Sequence, residues 1–220
     1  MEYQVSGLRK AYGKKQILKD IEFGAKDGMC IGILGGNGSG KSTLLAILAG
    51  IVRADAGVLR LDGTEVPFGR GMAVGYVPQG NPLTEELTVR DHLRLWYDRE
   101  SLTRELESGV LKDLGLDAVQ KMQVRKLSGG MKKRLVIGCA AADRPKLLLM
   151  DEPTSSLDLA AKEAIYEYIH GFLGGGGIIL LATHDVHEIE FCDVCYILRD
   201  GKNIPYSYDG DLKKIAEWMR

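Results

Sequence analysis

Short apolar runs alternate along the chain with segments of helical apolar spacing, and this alternation predicts an α/β fold. The apolar run at 30–34 leads into a glycine-rich loop, and residues 43–51 continue with helical spacing. Further runs with strand character occur at 72–77, 147–150, 178–182 and 194–198. Residues 159–172 have helical spacing, so the core sheet should be mostly parallel, with helices between its strands.

The remaining segments predict two additions to this sheet. Residues 3–5, 17–23 and 58–61 have β character, and the Asp62-Gly63 turn suits a hairpin, so we expect an antiparallel β flank. Pro78 to Pro82 breaks regular structure, and from about 88 to 142 the apolar spacing is helical without a convincing strand. We therefore predict an inserted helical subdomain at about 82–144.

Two shorter segments have simpler interpretations. The four glycines at 174–177 precede an apolar strand and no helix, which favours a helix end and a flexible connection over a phosphate site. Residues 209–219 predict a short amphipathic terminal helix.

Composition and charge narrow the function classes. The 220 residues carry 29 Lys plus Arg against 30 Asp plus Glu, so no excess charge attracts the whole molecule to nucleic acid. One dense basic cluster, Lys132 to Arg134, allows a nucleic-acid surface, but a solvated helix face is the favoured interpretation. No apolar run approaches the roughly 18 residues of a membrane span, and no signal-peptide core is present, so we expect the cytosol.

The cysteines do not indicate a metal or disulfide framework. Cys30, Cys139, Cys192 and Cys195 are few and unevenly spaced, and the single CxxC pair has apolar neighbours. Reduced, mostly buried thiols are therefore expected.

The glycine-rich loop carries the strongest chemical signal. Gly35-x-x-x-x-Gly40-Lys41-Ser42 stands between a strand and a helix, where backbone N–H groups and the helix dipole favour phosphate. Lys41 should reach the β and γ phosphates of a nucleotide, and the Ser42 hydroxyl should ligate Mg²⁺. A glycine turn that only packs a helix on a strand would not require the Lys-Ser ending.

Two further motifs belong with this loop. Asp151 and Glu152 end an apolar strand, where Asp151 would hold Mg²⁺ and Glu152 would accept a proton from attacking water. The sequence Leu127-Ser128-Gly129-Gly130-Met131 opens another helix, and its hydroxyl and free amides suit an anion. An isolated acidic pair or Ser-Gly-Gly turn is often only structural, so each gains meaning from the others.

The order of these motifs resembles the ATP-binding cassette family, specifically the nucleotide-binding subunit of ABC transporters, across essentially the whole chain as one domain of 1–220. The resemblance implies that Tyr12 stacks on adenine, Gln79 senses Mg²⁺ and the γ phosphate, and His184 is a switch at that phosphate. Asp158 matches a loop that crosses to a partner subunit. The implied catalytic residues are Glu152, His184, Lys41 and Gln79, and the implied Mg²⁺ ligands are Ser42, Gln79 and Asp151. The implied ATP contacts are Tyr12, Gly35, Gly36, Asn37, Gly38, Ser39, Gly40, Lys41, Ser42, Thr43, Ser128, Gly129, Gly130 and Asp158.

The resemblance also implies partners. Two nucleotide-binding subunits, in a homo- or heterodimer, would pack head to tail, so that the Ser128 motif completes the site of the other chain. ATP hydrolysis would power a separate transmembrane permease, which places the chain peripherally on the cytoplasmic face of the membrane. The permease would dock near Gln79 to Trp96, where Pro82, Leu83, Leu87, Leu93 and Trp96 either line a groove or pack in the core.

The subtype is open at this stage. Met131 with its basic neighbours resembles the ATPases of drug and polysaccharide exporters, which favours export. The alternatives are a non-transport ABC ATPase acting on ribosomes, DNA or iron–sulfur assembly, and a small-molecule phosphotransferase.

Overall fold

A computed structural model describes residues 1–208 and 210 of the chain. The helix predicted for 209–219 lies outside the described residues, apart from Gly210. The strands are β1 Glu2–Tyr12, β2 Lys15–Lys26, β3 Cys30–Leu34, β4 Ala56–Leu61, β5 Thr64–Val66, β6 Val74–Val77, β7 Leu147–Asp151, β8 Ile178–Ala182, β9 Val194–Arg199 and β10 Lys202–Tyr206. The α-helices are α1 Lys41–Leu48, α2 Val89–Leu93, α3 Arg99–Ser108, α4 Val110–Asp113, α5 Gly129–Ala140, α6 Leu159–Gly174 and α7 Val186–Glu190.

The described strands form one sheet in the order β5-β4-β1-β2-β10-β9-β3-β8-β7-β6. From β9 to β6 every neighbouring pair is parallel, as the alternation of strands and helices predicts. Strands β1, β2, β4 and β5 pair antiparallel and form the expected β flank. The predicted α/β fold class is therefore confirmed.

Strand β10 was not predicted, because Lys202–Tyr206 has no continuous apolar run and includes Pro205. It pairs antiparallel with β9 and touches β2 at one register position. Its Asn203 side chain accepts from the Glu22 amide at 3.0 Å and donates to the Glu22 carbonyl at 2.7 Å, which joins β10 to β2. The strand therefore forms a hairpin with its neighbour in sequence, β9, and contacts the distant β2 through Asn203.

Between β6 and β7 the described elements are α2, α3, α4, a short 3-10 helix (Val124–Lys126) and α5, with only an isolated bridge between Thr88 and Gln123. Polar side chains start these helices as expected for N-caps: Thr88 accepts from Asp91 N, and Asp98 from the first-turn amides of α3. The helical character of the segment agrees with the sequence, while 82–144 as the bounds of a subdomain stays a prediction.

Two apolar clusters cover the two faces of the parallel strands. One contains α1, β1 and β2 side chains, and the other contains side chains of α2 to α6. Buried strands of five apolar residues, such as β7 and β8, suit this two-sided packing. The two faces of the parallel strands are therefore covered by apolar side chains, and the ends of these strands remain available for polar side chains.

The glycine run at 174–177 lies at the end of a helix, and none of the four cysteines forms a disulfide among the described residues. Helix α6 ends within the glycine run, and Gly176 has φ 81°, so the run ends a helix as predicted. All four cysteines are free thiols, three of them buried and Cys192 half-buried.

Candidate nucleotide site

Four adjacent parallel strands bring the predicted site residues to one edge of the sheet. Strand β3 leads into Gly35, β8 leads to His184, β7 ends at Asp151 and Glu152, and β6 is followed by Gln79. Carboxyl ends of parallel strands are where α/β folds place ligand sites. Residues that are far apart in sequence are therefore neighbours.

The glycine-rich loop is closed around the Lys41 ammonium. Lys41 Nζ donates to the carbonyls of Gly35 at 2.7 Å and Gly36 at 3.3 Å. Burial lowers the pKa of Lys41, while the charges of Glu152 and Asp151 act in the opposite direction. The Lys41 ammonium lies at the start of α1, and the negative charges of Asp151 and Glu152 favour its protonated form.

Glycine is required in this loop on steric grounds. Gly35 has φ 152°, and a Cβ there would lie 2.7 Å from the Leu198 carbonyl oxygen. Gly40 has φ 110°, and a Cβ there would lie 2.8 Å from the Ile17 side chain. Any larger residue at either position would push the loop away from its supporting strands.

Asp151 is the buried end of β7. Burial raises the pKa of its carboxyl group, while a hydrogen bond from Ser42 and the charges of Lys41 and Lys133 oppose that rise. The Ser42 hydroxyl and the Asp151 carboxylate therefore stand together at the start of α1. Both are oxygen donors of the kind that Mg²⁺ prefers.

Glu152 lies between two polar partners from other strands. Gln79 Nε2 donates to Glu152 Oε2 at 3.0 Å, and His184 Nδ1 lies 3.2 Å from Glu152 Oε1. The Glu152 backbone has φ 47°, an uncommon conformation for a non-glycine residue, and its amide donates to the Ala182 carbonyl at 2.8 Å. The backbone of this catalytic candidate is thus held by the neighbouring strand β8.

A cleft of about 540 Å³ joins the glycine-rich loop to these side chains. Its lining includes Tyr12, Asn37, Gly38, Ser39, Gly40, Lys41, Ser42, Thr43, Gln79 and Glu152. Tyr12 is half exposed, with Lys10 Nζ 5.3 Å from its ring centre. Glu152 also lines a second cleft, of about 350 Å³, together with His184.

The Ser128 motif does not line the 540 Å³ cleft of its own chain. Ser128 is the exposed N-cap of α5 and accepts from Met131 N at 3.2 Å. Gly130 is buried, and a Cβ there would lie 2.4 Å from Ala161 Cβ, whereas Gly129 has room. Asp158 is likewise exposed and caps α6 by accepting from Ala161 N at 2.8 Å. The structure thus leaves Ser128, Gly129 and Asp158 facing outwards.

The basic cluster is not a uniformly solvated face. Lys132 and Arg134 are half-buried, but only 3% of Lys133 is exposed, so the interpretation of Lys133 as a surface cation was wrong. Lys133 Nζ instead donates to two backbone carbonyls beside Gln79. Helical periodicity gives a signal for this burial, because Lys133 falls on the same face of α5 as Val136 and Ile137.

The predicted permease groove is only partly exposed. Leu93 is fully buried and packs in the core, which is one of the two alternatives that the sequence left open, because α2 packs against α5. Leu95 and Trp96 are 66% and 57% exposed. No helix among residues 1–208 is long and apolar enough to cross a membrane.

A wider cleft of about 990 Å³ lies elsewhere. Its lining includes Glu105, Arg144, Lys146 and Tyr168, and none of the predicted site residues. Its lining contains both acidic and basic side chains, and none of them belongs to the glycine-rich loop.

Comparison with known proteins identifies a family and several relatives that this chain resembles. Residues 18–155 match the family model described as ABC transporter. The chain is 37% identical over 215 residues to the Nod factor export ATP-binding protein I of Rhizobium etli, covering 94% of this chain and 68% of the relative. It is 35% identical over 217 residues to the linearmycin resistance ATP-binding protein of Bacillus subtilis, covering 95% and 70%.

Other curated relatives are longer: the chain spans 65% of the Nod factor export ATP-binding protein I of Ralstonia nicotianae, at 37% identity over 91% of this chain. Among solved structures, an ATP-binding subunit of an ABC transporter superposes with TM-score 0.84 at 27% identity over 100% of both chains. A dimeric ATP-binding cassette bound to ADP and Pi superposes with TM-score 0.80 at 25% identity, covering 95% of this chain and 100% of that chain.

Proposed function

Since this chain belongs to the ABC transporter family, we propose that it is the ATP-binding and ATP-hydrolysing subunit that powers a separate membrane permease. The family match indicates an ATPase. The observation that carries the proposal is the placement of Glu152 between Gln79 and His184, at the edge of the cleft formed by the glycine-rich loop.

The glycine-rich loop would provide most of the contacts with the nucleotide phosphates. Amides at the start of α1 have no partner within the helix and would donate to phosphate oxygens, while Lys41 would exchange its carbonyl contacts for phosphate. Ser39 Oγ is buried and has no hydrogen-bond partner among the described residues, so a phosphate oxygen would satisfy it. Tyr12, a half-exposed residue in the lining of the cleft, would stack on the adenine ring.

The residues present fit Mg²⁺. Ser42 and Asp151 bring a hydroxyl and a carboxylate together, and Gln79 adds an amide oxygen nearby. No group of three His, Cys, Asp or Glu able to hold a metal occurs among residues 1–208, so nucleotide phosphates would complete the shell. Bound there, the ion would neutralise charge on the phosphates during transfer.

Glu152 would act as the general base. It is positioned by Gln79 and by the backbone bond to β8, and it would accept a proton from the water that attacks the γ phosphate. His184 reaches the same carboxylate from β8 and would orient it and contact the γ phosphate. The two side chains therefore act as one unit.

A second copy, or a homologous subunit, would complete the site. Ser128 and Gly129 are exposed at the N-terminus of α5 and do not line the cleft of their own chain. The positive end of α5 would approach a γ phosphate on the partner, so that ATP joins the subunits. The dimeric relative bound to ADP and Pi supports this arrangement.

The permease would dock on the exposed Leu95 and Trp96 side chains after α2. The names of two relatives, for Nod factor export and linearmycin resistance, support export as the direction. They favour transport over the alternatives of a ribosome, DNA or iron–sulfur partner.

A mixing experiment tests the shared site. Chains carrying Lys41→Ala and chains carrying Ser128→Arg should each hydrolyse ATP poorly, whereas their mixture contains dimers with one intact composite site. The expected result is recovery of up to about a quarter of the wild-type rate, from random pairing and one working site per mixed dimer. Activity of the mixture equal to the sum of the separate variants would rule out completion by a partner.

A further inference from the structure

Lys133 is a buried cation held by neutral acceptors. Its Nζ donates to the carbonyls of Pro78 and Gln79, both at 2.9 Å. Among residues 1–208 it forms no ion pair within 4 Å, although lysine is rarely this buried without one. The cost of burying the ammonium is therefore offset by the two carbonyls and by more distant charges.

Those charges belong to the candidate site. Burial lowers the pKa of Lys133, and Asp151, Glu152 and Glu188 act in the opposite direction. The Lys133 charge in turn favours the ionised Asp151 carboxylate. Lys133 thus belongs electrostatically to the site without lining its cleft.

Helix α5 contacts both β6 and the loop that follows it. A Cβ on Gly75 would lie 2.6 Å from the Ala140 carbonyl oxygen, so the end of α5 packs directly on the strand. Near its start, Lys133 holds the peptide that follows the strand. Helix and strand run in opposite directions, and the lysine is the polar contact between α5 and the Gln79 loop.

The contacts form a continuous chain. Ser128 caps α5, Lys133 of α5 binds the Gln79 carbonyl, and the Gln79 amide binds Glu152. Hydrogen bonds join Ser128 to the Met131 amide, Lys133 to Gln79 and Gln79 to Glu152, and the backbone of α5 joins Met131 to Lys133. A displacement at the exposed Ser128 end of α5 would move the Lys133 ammonium and with it the Gln79 backbone.

We propose that Lys133 is a positioning residue, which holds the Gln79 backbone so that the Gln79 amide reaches Glu152, and which links the Ser128 end of α5 to that carboxylate. The inference rests on the proposed function for its catalytic consequence. Its structural part, the anchoring of residues 78–80 by a side chain of α5, can be measured without hydrolysis.

The test compares Lys133→Met, which removes the charge and the donors, with Lys133→Arg, which keeps both. Lys132→Met is the matched control, because Lys132 is the adjacent lysine and pairs with the exposed Glu85 at 2.8 Å. The readouts are kcat and KM for ATP, melting temperature, and hydrogen exchange of the peptide covering 74–79 in the nucleotide-free protein, which contains the amides of β6 that pair with β7.

Lys133→Met should lower kcat by about 10- to 100-fold, the cost of a misplaced catalytic group, and should change KM for ATP less than about threefold. Exchange in 74–79 should accelerate at least about tenfold in this variant, because the end of β6 loses the anchor of the peptide that follows it. Lys133→Arg should recover most of kcat. Lys132→Met should match wild type in kcat and in the hydrogen exchange of 74–79.

Unchanged exchange in 74–79 in Lys133→Met overturns the anchoring, whether or not the protein is an ATPase. Faster exchange with an unchanged kcat overturns the positioning role while leaving the proposed function intact. A wild-type protein that neither binds nor hydrolyses ATP refutes the proposed function, while the exchange result still decides the anchoring. If Lys133→Met does not fold, Lys133→Gln replaces it with the same criteria.

Discussion

His184 Nδ1 lies 3.2 Å from Glu152 Oε1, although the two residues follow different strands of the parallel sheet. The contact exists because β7 and β8 are neighbours in register, with Asp151 opposite Ala182. Gln79, after β6, reaches the other oxygen of the same carboxylate. The Glu152 carboxylate, which follows β7, thus contacts side chains that follow both β6 and β8.

Glu152→Gln should abolish most turnover while ATP binding persists. The amide cannot accept a proton from water, so kcat should fall by at least about 100-fold. ATP should then trap a dimer, visible as a shift in size-exclusion chromatography. Glu190→Gln is the control, since Glu190 lies exposed on the nearby α7. A Glu152→Gln protein that stays monomeric with ATP would contradict the head-to-tail dimer.

His184→Ala should lower kcat by about 10- to 100-fold, because it removes the side chain that orients Glu152 from β8. ATP affinity should change less than about threefold, since the glycine-rich loop supplies most phosphate contacts. His187→Ala is a matched control: His187 is exposed on α7 and lies near Glu190 instead. Equal losses in both variants would show that the contact with Glu152 is not responsible.

Lys41→Ala should reduce hydrolysis to background and weaken ATP binding at least about tenfold, measured by steady-state rates and by binding of a fluorescent ATP analogue. The reason is the loss of the ammonium that the loop encloses beside both carboxylates. Lys112→Ala, at an exposed position of α4, serves as control. Near-normal turnover would refute the assignment of the loop.

Gly130→Ala and Gly129→Ala should separate stability from assembly. A Cβ at 130 would lie 2.4 Å from Ala161 Cβ, so Gly130→Ala should destabilise by about 1–3 kcal/mol and lower the melting temperature. A Cβ at 129 has its nearest neighbour at 3.9 Å, in Leu157, so the monomer should keep its stability within about 1 kcal/mol. Gly129→Ala should instead weaken ATP-dependent dimerisation in analytical ultracentrifugation.

The reverse pattern, with only Gly129→Ala losing stability, would be incompatible with the packing of α5 on α6. Wild-type dimerisation by Gly129→Ala would argue that the exposed face of α5 is not part of the interface. The two glycines are adjacent, so the comparison does not depend on different helix propensities.

The order of motifs and elements was readable along the chain because each depends on local patterns. Gly35 to Ser42 follows a strand and opens a helix, Asp151 ends an apolar run, and Ser128 caps α5. These features are set by backbone freedom, apolar period and capping, which operate over a few residues. The fold class followed from them.

Contacts between distant residues decided the rest. Strand β10 follows the Asp200-Gly201 turn as a polar segment with a proline, and Asn203 joins it to β2 through Glu22. Lys133 stands in a basic cluster of the sequence, but its ammonium is buried. It donates to the carbonyls of Pro78 and Gln79, which belong to the loop after β6. Neither the Asn203–Glu22 contact nor the burial of Lys133 follows from a hydrophobic pattern, because each is stabilised by hydrogen bonds to groups that only the folded chain brings together.

The sequence by itself determined the strand–loop–helix phosphate motif, the alternation of strands and helices, and the identity of the candidate site residues. Only the tertiary structure decided that Glu152 meets Gln79 and His184, that Lys133 anchors the Gln79 backbone, and that Ser128 faces away from its own cleft. The reason is physical: local conformation follows from neighbouring residues, whereas hydrogen bonds across the sheet edge require strand order and helix packing to be established first.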